Sequence, residues 1–316
     1  MNPSRGDATV IAYIHRAQHL IARIGFRANT ISPLVIAERV ISIRPTVRPA
    51  TWRQYRSALI CYFQQLEHAH PEKEPAIALL RTSGCSECLR GGNAPSRTSS
   101  SKKRQVKPED LSEIVGYLSE HETRWSFPTS MWLEASVLTG LRPSEWQSAR
   151  LELGESGEPV LVITNAKNSN GRANGDQRTL LLANLPETNL ALISVHLGVV
   201  AEMVGRNLWD RYYRECRKTL YKATRALWPK RISYPTLYSG RHQFSADAKR
   251  SGLSKIEVAA LMGHASEETA GRHYGKKRSG RNGFSILPNP ADITRLKLSF
   301  MVSAPDLDVS GPQPLL

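Results

Sequence analysis

The sequence predicts a mainly helical protein with a small β-sheet, an α+β chain built in two domains. Three observations predict it. Long stretches on both sides of residue 100 carry apolar residues at helical spacing. A polar, basic stretch rich in turn formers lies between them, over residues 83–107. Only two runs, residues 159–164 and 177–182, have the short apolar character of strands.

The 316 residues suffice for two ordinary domains. The expected division is a helical domain over 1–82, a flexible basic linker over 83–107, a larger domain over 108–287 and a tail over 288–316. In the first domain the segment from Thr51 puts Trp52, Tyr55, Leu59 and Phe63 on one stripe, which reads as core. Arg53 and Arg56 flank that stripe and face either solvent or a phosphate backbone. Lys102, Lys103 and Arg104 give the linker its charge, solvated or laid along a polyanion. Pro108 opens the next helix, because proline suits a first helical position and the acids Glu109 and Asp110 favour the positive end of the helix dipole. Helices are expected over about 108–121, 128–139 and 184–230. The Asn- and Gly-rich segment 165–176 suits a hairpin loop. The tail is Pro-rich and only weakly patterned.

A formal net charge of +15 favours a polyanionic partner, because bound cations release counterions and steer association. Nucleic acid is the first candidate and an anionic membrane the second. The sequence shows no long uninterrupted apolar run and no apolar leader, so neither a membrane span nor export is expected. The expected location is the cytoplasm, at the nucleoid. There are 4 cysteines, of which Cys85 and Cys88 form one C-x-x-C while Cys61 and Cys216 stand alone. No second ligand pair accompanies them at zinc spacing, so they read as surface or loop thiols in a reducing compartment, and no metal or cofactor is expected.

Three segments carry candidate chemistry. In Leu138-Thr-Gly140-Leu-Arg142-Pro143-Ser-Glu145-Trp146, Gly140 reads as a left-handed helix cap and Pro143 as the first residue of the next turn. Arg142 is then held at a tight junction, where its guanidinium can grip a phosphate; the plain alternative is a helix–helix turn with Glu145 as an ordinary first-turn acid. In Ser254-Lys-Ile-Glu257-Val-Ala-Ala-Leu-Met-Gly263-His264, Ser254 and Glu257 form a capping box and Gly263 a terminal cap, with His264 just beyond. A non-catalytic helix-turn-helix would look the same. Lastly, Tyr274 is the last tyrosine of the chain and follows Tyr238, Arg241, His264 and Arg272. A phenol among cationic donors is a potential nucleophile toward phosphate.

Taken in order, the T-G-L-R segment, a hairpin lysine, an arginine–histidine pair, L-M-G-H and a late tyrosine resemble the catalytic domain of the tyrosine recombinase, or phage integrase, family over roughly residues 108–280. The helical region before it resembles that family's core-binding domain. The resemblance implies a two-domain, C-shaped clamp on double-stranded DNA and site-specific recombination or integration through a covalent 3′-phosphotyrosine. It implies that Arg142 and Arg241 bind the scissile phosphate, that Lys167 protonates the leaving oxygen, that His264 hydrogen-bonds the phosphate and that Tyr274 attacks. It implies a homotetramer on DNA and the setting of a mobile genetic element, with an accessory DNA-bending protein as a candidate partner. Two positions depart from the family pattern. Tyr238 stands where a histidine is usual, and a phenol is a poor base near neutral pH. Tyr274 lies one residue further from His264 than usual, with His273 at the usual place. Two further readings stay open: a non-catalytic DNA-binding protein of the same fold, and a topoisomerase of type IB chemistry.

Overall fold

The computed structural model describes residues 7–26, 31–66, 72–89, 105–166, 173–266 and 277–303. The chain divides into two compact units, Met1–Ser96 and Arg97–Leu316.

The first unit is helical. It comprises α1 (Asp7–Arg23), α2 (Pro33–Ser42), α3 (Pro49–Gln64) and α4 (Lys73–Thr82), with α1 packed on α3 and α2 on α4. Ser32 starts α2 by accepting the Leu34 backbone N–H at 3.1 Å. The expected stripe is core: Trp52, Leu59 and Phe63 are fully buried and Tyr55 is half-buried against them. Residues 83–89, inside the stretch read as linker, pack back on this unit. Ser83 O accepts from the Trp52 indole and from Arg56 Nη1, both at 3.1 Å. Cys88 joins the same core with Cys85 packed against it. The reading of surface thiols is therefore corrected: Cys61, Cys88 and Cys216 are buried and Cys85 is half-buried. A thiol is small and weakly polar, so it fills core space at little cost.

The second unit places a small sheet beside a helical body. Its elements are α5 (Pro108–Glu120), α6 (Ser126–Thr139), a 3-10 turn at Pro143–Gln147, β1 (Arg150–Leu153), β2 (Pro159–Thr164), β3 (Gln177–Leu181), α7 (Glu187–Gly205), α8 (Trp209–Leu227), α9 (Leu237–Arg250), α10 (Lys255–Met262), β4 (Leu287–Pro288) and α11 (Pro290–Ser303). The sheet runs β1-β2-β3-β4, each pair antiparallel, with Val160 opposite Leu181 and Thr164 opposite Gln177. Trp132, Trp146, Leu161, Ile163, Leu180 and Phe244 lie at the centre of the core.

Three features differ from the sequence expectation. The helix expected over 184–230 is two, α7 and α8, broken where Asn207 takes a left-handed backbone with φ 56°. Asparagine tolerates that region because its side chain bonds locally. By length and composition α7 is apolar enough to cross a membrane, with mean hydropathy 1.4, which corrects the expectation that no such segment exists. Its Ile193, His196, Val200 and Met203 are buried, and it packs on α6.

The third difference is the tail. Its first part is β4 and α11, folded onto the same unit. Leu296 is fully buried against Ala259 and Ala260 of α10, with Ile256 and Ile293 around them. Asp292 anchors the start of α11 by accepting the Thr179 N–H of β3 at 2.8 Å. Replacing Leu296 by alanine removes this contact and is expected to cost ~2–5 kcal/mol of stability, as buried Leu→Ala changes do. Urea denaturation checks it, and a loss under ~0.5 kcal/mol would show that α11 is not part of the folded core.

Candidate active site

The site begins where α6 ends. Gly140 caps that helix with φ 66°, and its N–H bonds to Ser136 O at 3.0 Å. A Cβ there would meet the Phe244 ring at 2.3 Å, so only glycine serves. The chain then extends through Arg142, as a residue before proline must, and Pro143 starts the 3-10 turn. Glu145 closes that turn: its Oε2 accepts the Arg142 backbone N–H at 2.8 Å.

Glu145 is 1% exposed and gathers three guanidiniums. Arg142 Nη1 donates to its Oε1 at 2.5 Å. Arg178 Nη2, from β3, donates to its Oε2 at 2.8 Å. Arg241 Nη1, from α9, stands 3.6 Å from the same oxygen. Burial alone would raise the Glu145 carboxyl, but Arg178, Arg241 and Arg142 together hold it well below the usual carboxylate range, so it is ionised. Trp146, next in the chain, fixes the turn in the core. Its ring meets His196 edge-on at 4.5 Å, and burial pushes the His196 imidazole down to about 3.

Arg241 is fully buried near the start of α9. Its Nη1 donates to Gly140 O at 2.6 Å and its Nη2 to Met262 O, so it bridges the ends of α6 and α10. Its Nη2 also lies 3.3 Å from His264 Nε2. An arginine N–H can only donate, so Nε2 accepts and the imidazole is the neutral Nδ1–H tautomer. Burial and then the charges of Arg241, Arg142 and Arg178 push the His264 imidazole far below its ordinary value, which agrees with that neutral form.

The turn that carries His264 follows from its sequence. Ser254 and Glu257 form the expected capping box, with Glu257 N donating to Ser254 Oγ at 3.3 Å and Ser254 N to Glu257 Oε2 at 2.7 Å. Gly263 ends α10 with φ 60°, and a Cβ there would strike Asn165 Oδ1 at 2.3 Å. The His264 N–H then returns to Ala259 O at 3.0 Å.

Arg142, Arg178 and Arg241 thus converge on Glu145, and His264 joins them through Arg241. Tyr238 sits three residues before Arg241 on α9, half-buried, its ring edge-on to His242 at 5.4 Å. Arg53 is exposed, whereas Arg56 is half-buried and spends one N–H on Ser83 O. Lys167, Tyr274, Lys102, Lys103 and Arg104 lie outside the described residues. Chain positions leading to Lys167 are set at the site: the Ala166 N–H lies 3.4 Å from Glu145 Oε1, and Asn165 Nδ2 donates to Gly175 O at 3.0 Å.

Sequence reasoning missed Arg178. It is fully buried and ties together three parts of the site. Besides Glu145, its Nη1 donates to Asn165 Oδ1 at 2.5 Å and its Nε to Leu261 O at 3.0 Å. The only local signal is its place in a strand whose burial alternates, on the inward side with Leu180. Among the described residues no three His, Cys, Asp or Glu side chains group so as to hold a metal.

No family model and no curated protein matches the chain by sequence. By fold it is similar to a protelomerase solved in covalent complex with substrate DNA, at TM-score 0.51 and 16% identity, covering 87% of this chain and 90% of that one. It is also similar to a lambda integrase solved as a tetramer on a Holliday junction, at TM-score 0.50 and 15% identity, covering 90% of this chain and 76% of that one. The chain therefore has the tyrosine-recombinase fold, mainly helical with a small antiparallel sheet.

Changing Glu145 to glutamine leaves three buried guanidiniums without their shared carboxylate. The expected cost near neutral pH is ~3–5 kcal/mol, as for breaking a buried ion pair. The sign with pH follows from the lowered carboxyl: its contribution is complete above its ordinary value of 4.5 and is lost as pH falls below it. Urea midpoints should therefore differ widely at neutral pH and converge in acid. Equal midpoints at neutral pH would show that the cluster is not held by this charge.

Proposed function

We propose that the protein cleaves and rejoins duplex DNA through a covalent 3′-phosphotyrosine at Tyr274, as a site-specific recombinase or integrase. The observation that carries the reading is the meeting of Arg142 and Arg241 at one buried carboxylate, with neutral His264 bonded to Arg241, from three separate segments. Rigid guanidiniums whose orientation is already fixed need no reorganisation as charge develops on a phosphate, which is the physical basis of electrostatic catalysis.

In this reading Arg142 and Arg241 hold the non-bridging oxygens of the scissile phosphate. Tyr274 Oη loses its proton to water and attacks phosphorus; a P–O bond to Tyr274 forms and the P–O5′ bond breaks. Lys167 protonates the departing 5′-oxygen. His264, neutral, donates its Nδ1–H toward the phosphate, and Tyr238 donates its phenolic O–H from one turn up α9. The phosphotyrosyl ester keeps the energy of the bond it replaced, so a 5′-hydroxyl from a partner strand reverses the step without ATP. Arg53 and the basic segment with Lys102, Lys103 and Arg104 supply phosphate contacts away from the chemistry, and the net charge of +15 suits that task. The tetrameric state of the lambda integrase structure supports a homotetramer here. An accessory DNA-bending protein, a mobile genetic element as genomic setting and a nucleoid location complete the proposal.

Tyr238 at the histidine position and the one-residue offset of Tyr274 favour a second reading, a DNA-binding protein that has kept the fold and lost the reaction. Nicked duplexes selected from a pool for binding, then run on a denaturing gel, decide between the two. The proposal expects a protein–DNA adduct with the natural chain, none with Tyr274→Phe, and a loss of ~10²–10³ in rate with Arg241→Ala. Binding without any adduct sinks the catalytic reading; an adduct that survives Tyr274→Phe sinks the nucleophile assignment. Relaxed plasmid without joint products would point to the topoisomerase alternative.

A further inference from the structure

A cavity of about 670 Å³ opens between α8 and the segment that leads into α9, apart from the Glu145 cluster. That is the size of sites that hold small organic molecules. Its lining is chemically one-sided. Tyr213, Tyr221, Tyr234 and Tyr238 supply four rings, and Arg214, Arg217, Lys218 and Arg225 supply four cations. No acid lines it among the described residues. Glu215 of the same helix pairs with Lys218 at 3.1 Å, which leaves the cations in excess.

Rings and guanidiniums alternate along the groove. The Arg225 guanidinium lies 3.3 Å from the Tyr221 ring centroid and 4.3 Å from that of Tyr234, and Arg217 lies over Tyr213 at 5.4 Å. Tyr221 is nonetheless 56% exposed. Such a ladder meets a planar ring by its face and an anion through its N–H groups. A base inside a duplex presents only its edge, because both faces are stacked on neighbours. An aromatic face exposed beside cations therefore matches a base that has left the stack, followed by its phosphate.

We propose that this groove holds unpaired nucleotides of a DNA strand. Its position says which ones. Tyr238 lines the groove, and Arg241 follows it by one turn of α9. A strand that runs from the phosphate at Arg241 past Tyr238 enters the groove directly. The inference rests on the strand-transfer reading: cleavage frees a strand end bearing a 5′-hydroxyl, and that end must unpair before it can join another duplex. The groove keeps it unstacked and close to the phosphate site.

The test uses the full chain and three fluorescently labelled probes: an oligothymidylate, an abasic strand with the same number of phosphates, and a hairpin duplex. Oligothymidylate should bind at least about tenfold more tightly than the abasic strand, because stacking on a tyrosine contributes that much per base. Tyr221→Ala should lose about tenfold in oligothymidylate affinity and nothing on the duplex, while Tyr221→Phe keeps the ring and restores binding. Equal affinity for the thymidylate and abasic strands overturns the proposal, since charge alone would explain both. An equal loss on thymidylate and duplex with Tyr221→Ala also overturns it, by making the groove a duplex surface. Adduct formation on nicked duplex, measured alongside, reports on strand cleavage separately, so a missing adduct and missing thymidylate binding are distinguishable failures.

Discussion

One buried carboxylate organises the second unit. Glu145 sits where water cannot reach it, and taking a carboxylate and three guanidiniums out of water costs several kcal/mol per ion unless each is bonded on arrival. That requirement fixes neighbours from every side. The 3-10 turn must bring Arg142, β3 must bring Arg178, and α9 must bring Arg241. Arg241 and Arg178 also donate to backbone carbonyls or Asn165, at the ends of α6, β2 and α10. Two glycines make the approach possible. Gly140 lets α6 end against Phe244, and Gly263 lets α10 end against Asn165 and Arg178. Burial, and after it the same cations that satisfy Glu145, keep His264 neutral, so charge and tautomer at the site follow from a single packing solution.

The tail belongs to that solution too. Asp292 accepts from Thr179, one residue from Arg178, and Asn174 Nδ2 donates to Asp292 O at 2.8 Å. Arg295 Nη1 lies 3.1 Å from both Asn174 O and Gln177 O. The start of α11 therefore braces the start of β3 and the residues just before it. A segment with little apolar pattern of its own is held by hydrogen bonds to a strand distant in sequence, and by one leucine on α10.

What was legible follows from what is local. Helical periodicity reveals the helices of the first unit, and short apolar runs reveal β2 and β3. Caps at Gly140, Gly263 and Ser254 are legible because backbone conformation demands those residue types. The break at Asn207 is not, since asparagine is also an ordinary helix residue. β1 escapes notice because all four of its residues are exposed, and β4 because it has two residues. Arg142, Arg241 and His264 could be singled out by motif order. Arg178 and the role of Glu145 could not: a buried charge looks like a surface charge until its partners, far along the chain, are brought to it. The cysteines failed for the same reason, as nothing local tells a core thiol from a loop thiol.

The central claim is that Arg142 and Arg241 are held at Glu145 to meet the charge of a phosphate, and not for folding alone. Replacing one non-bridging oxygen of the scissile phosphate by a methyl group removes that charge while keeping the phosphorus centre. The most direct measurement is the single-turnover cleavage rate of Arg142→Ala and Arg241→Ala on phosphate and on methylphosphonate substrates, with folding checked by urea denaturation. The account predicts that each variant is severely slowed on phosphate and regains much of its rate on the uncharged substrate. A variant that folds normally, yet is slowed equally on both, would contradict it.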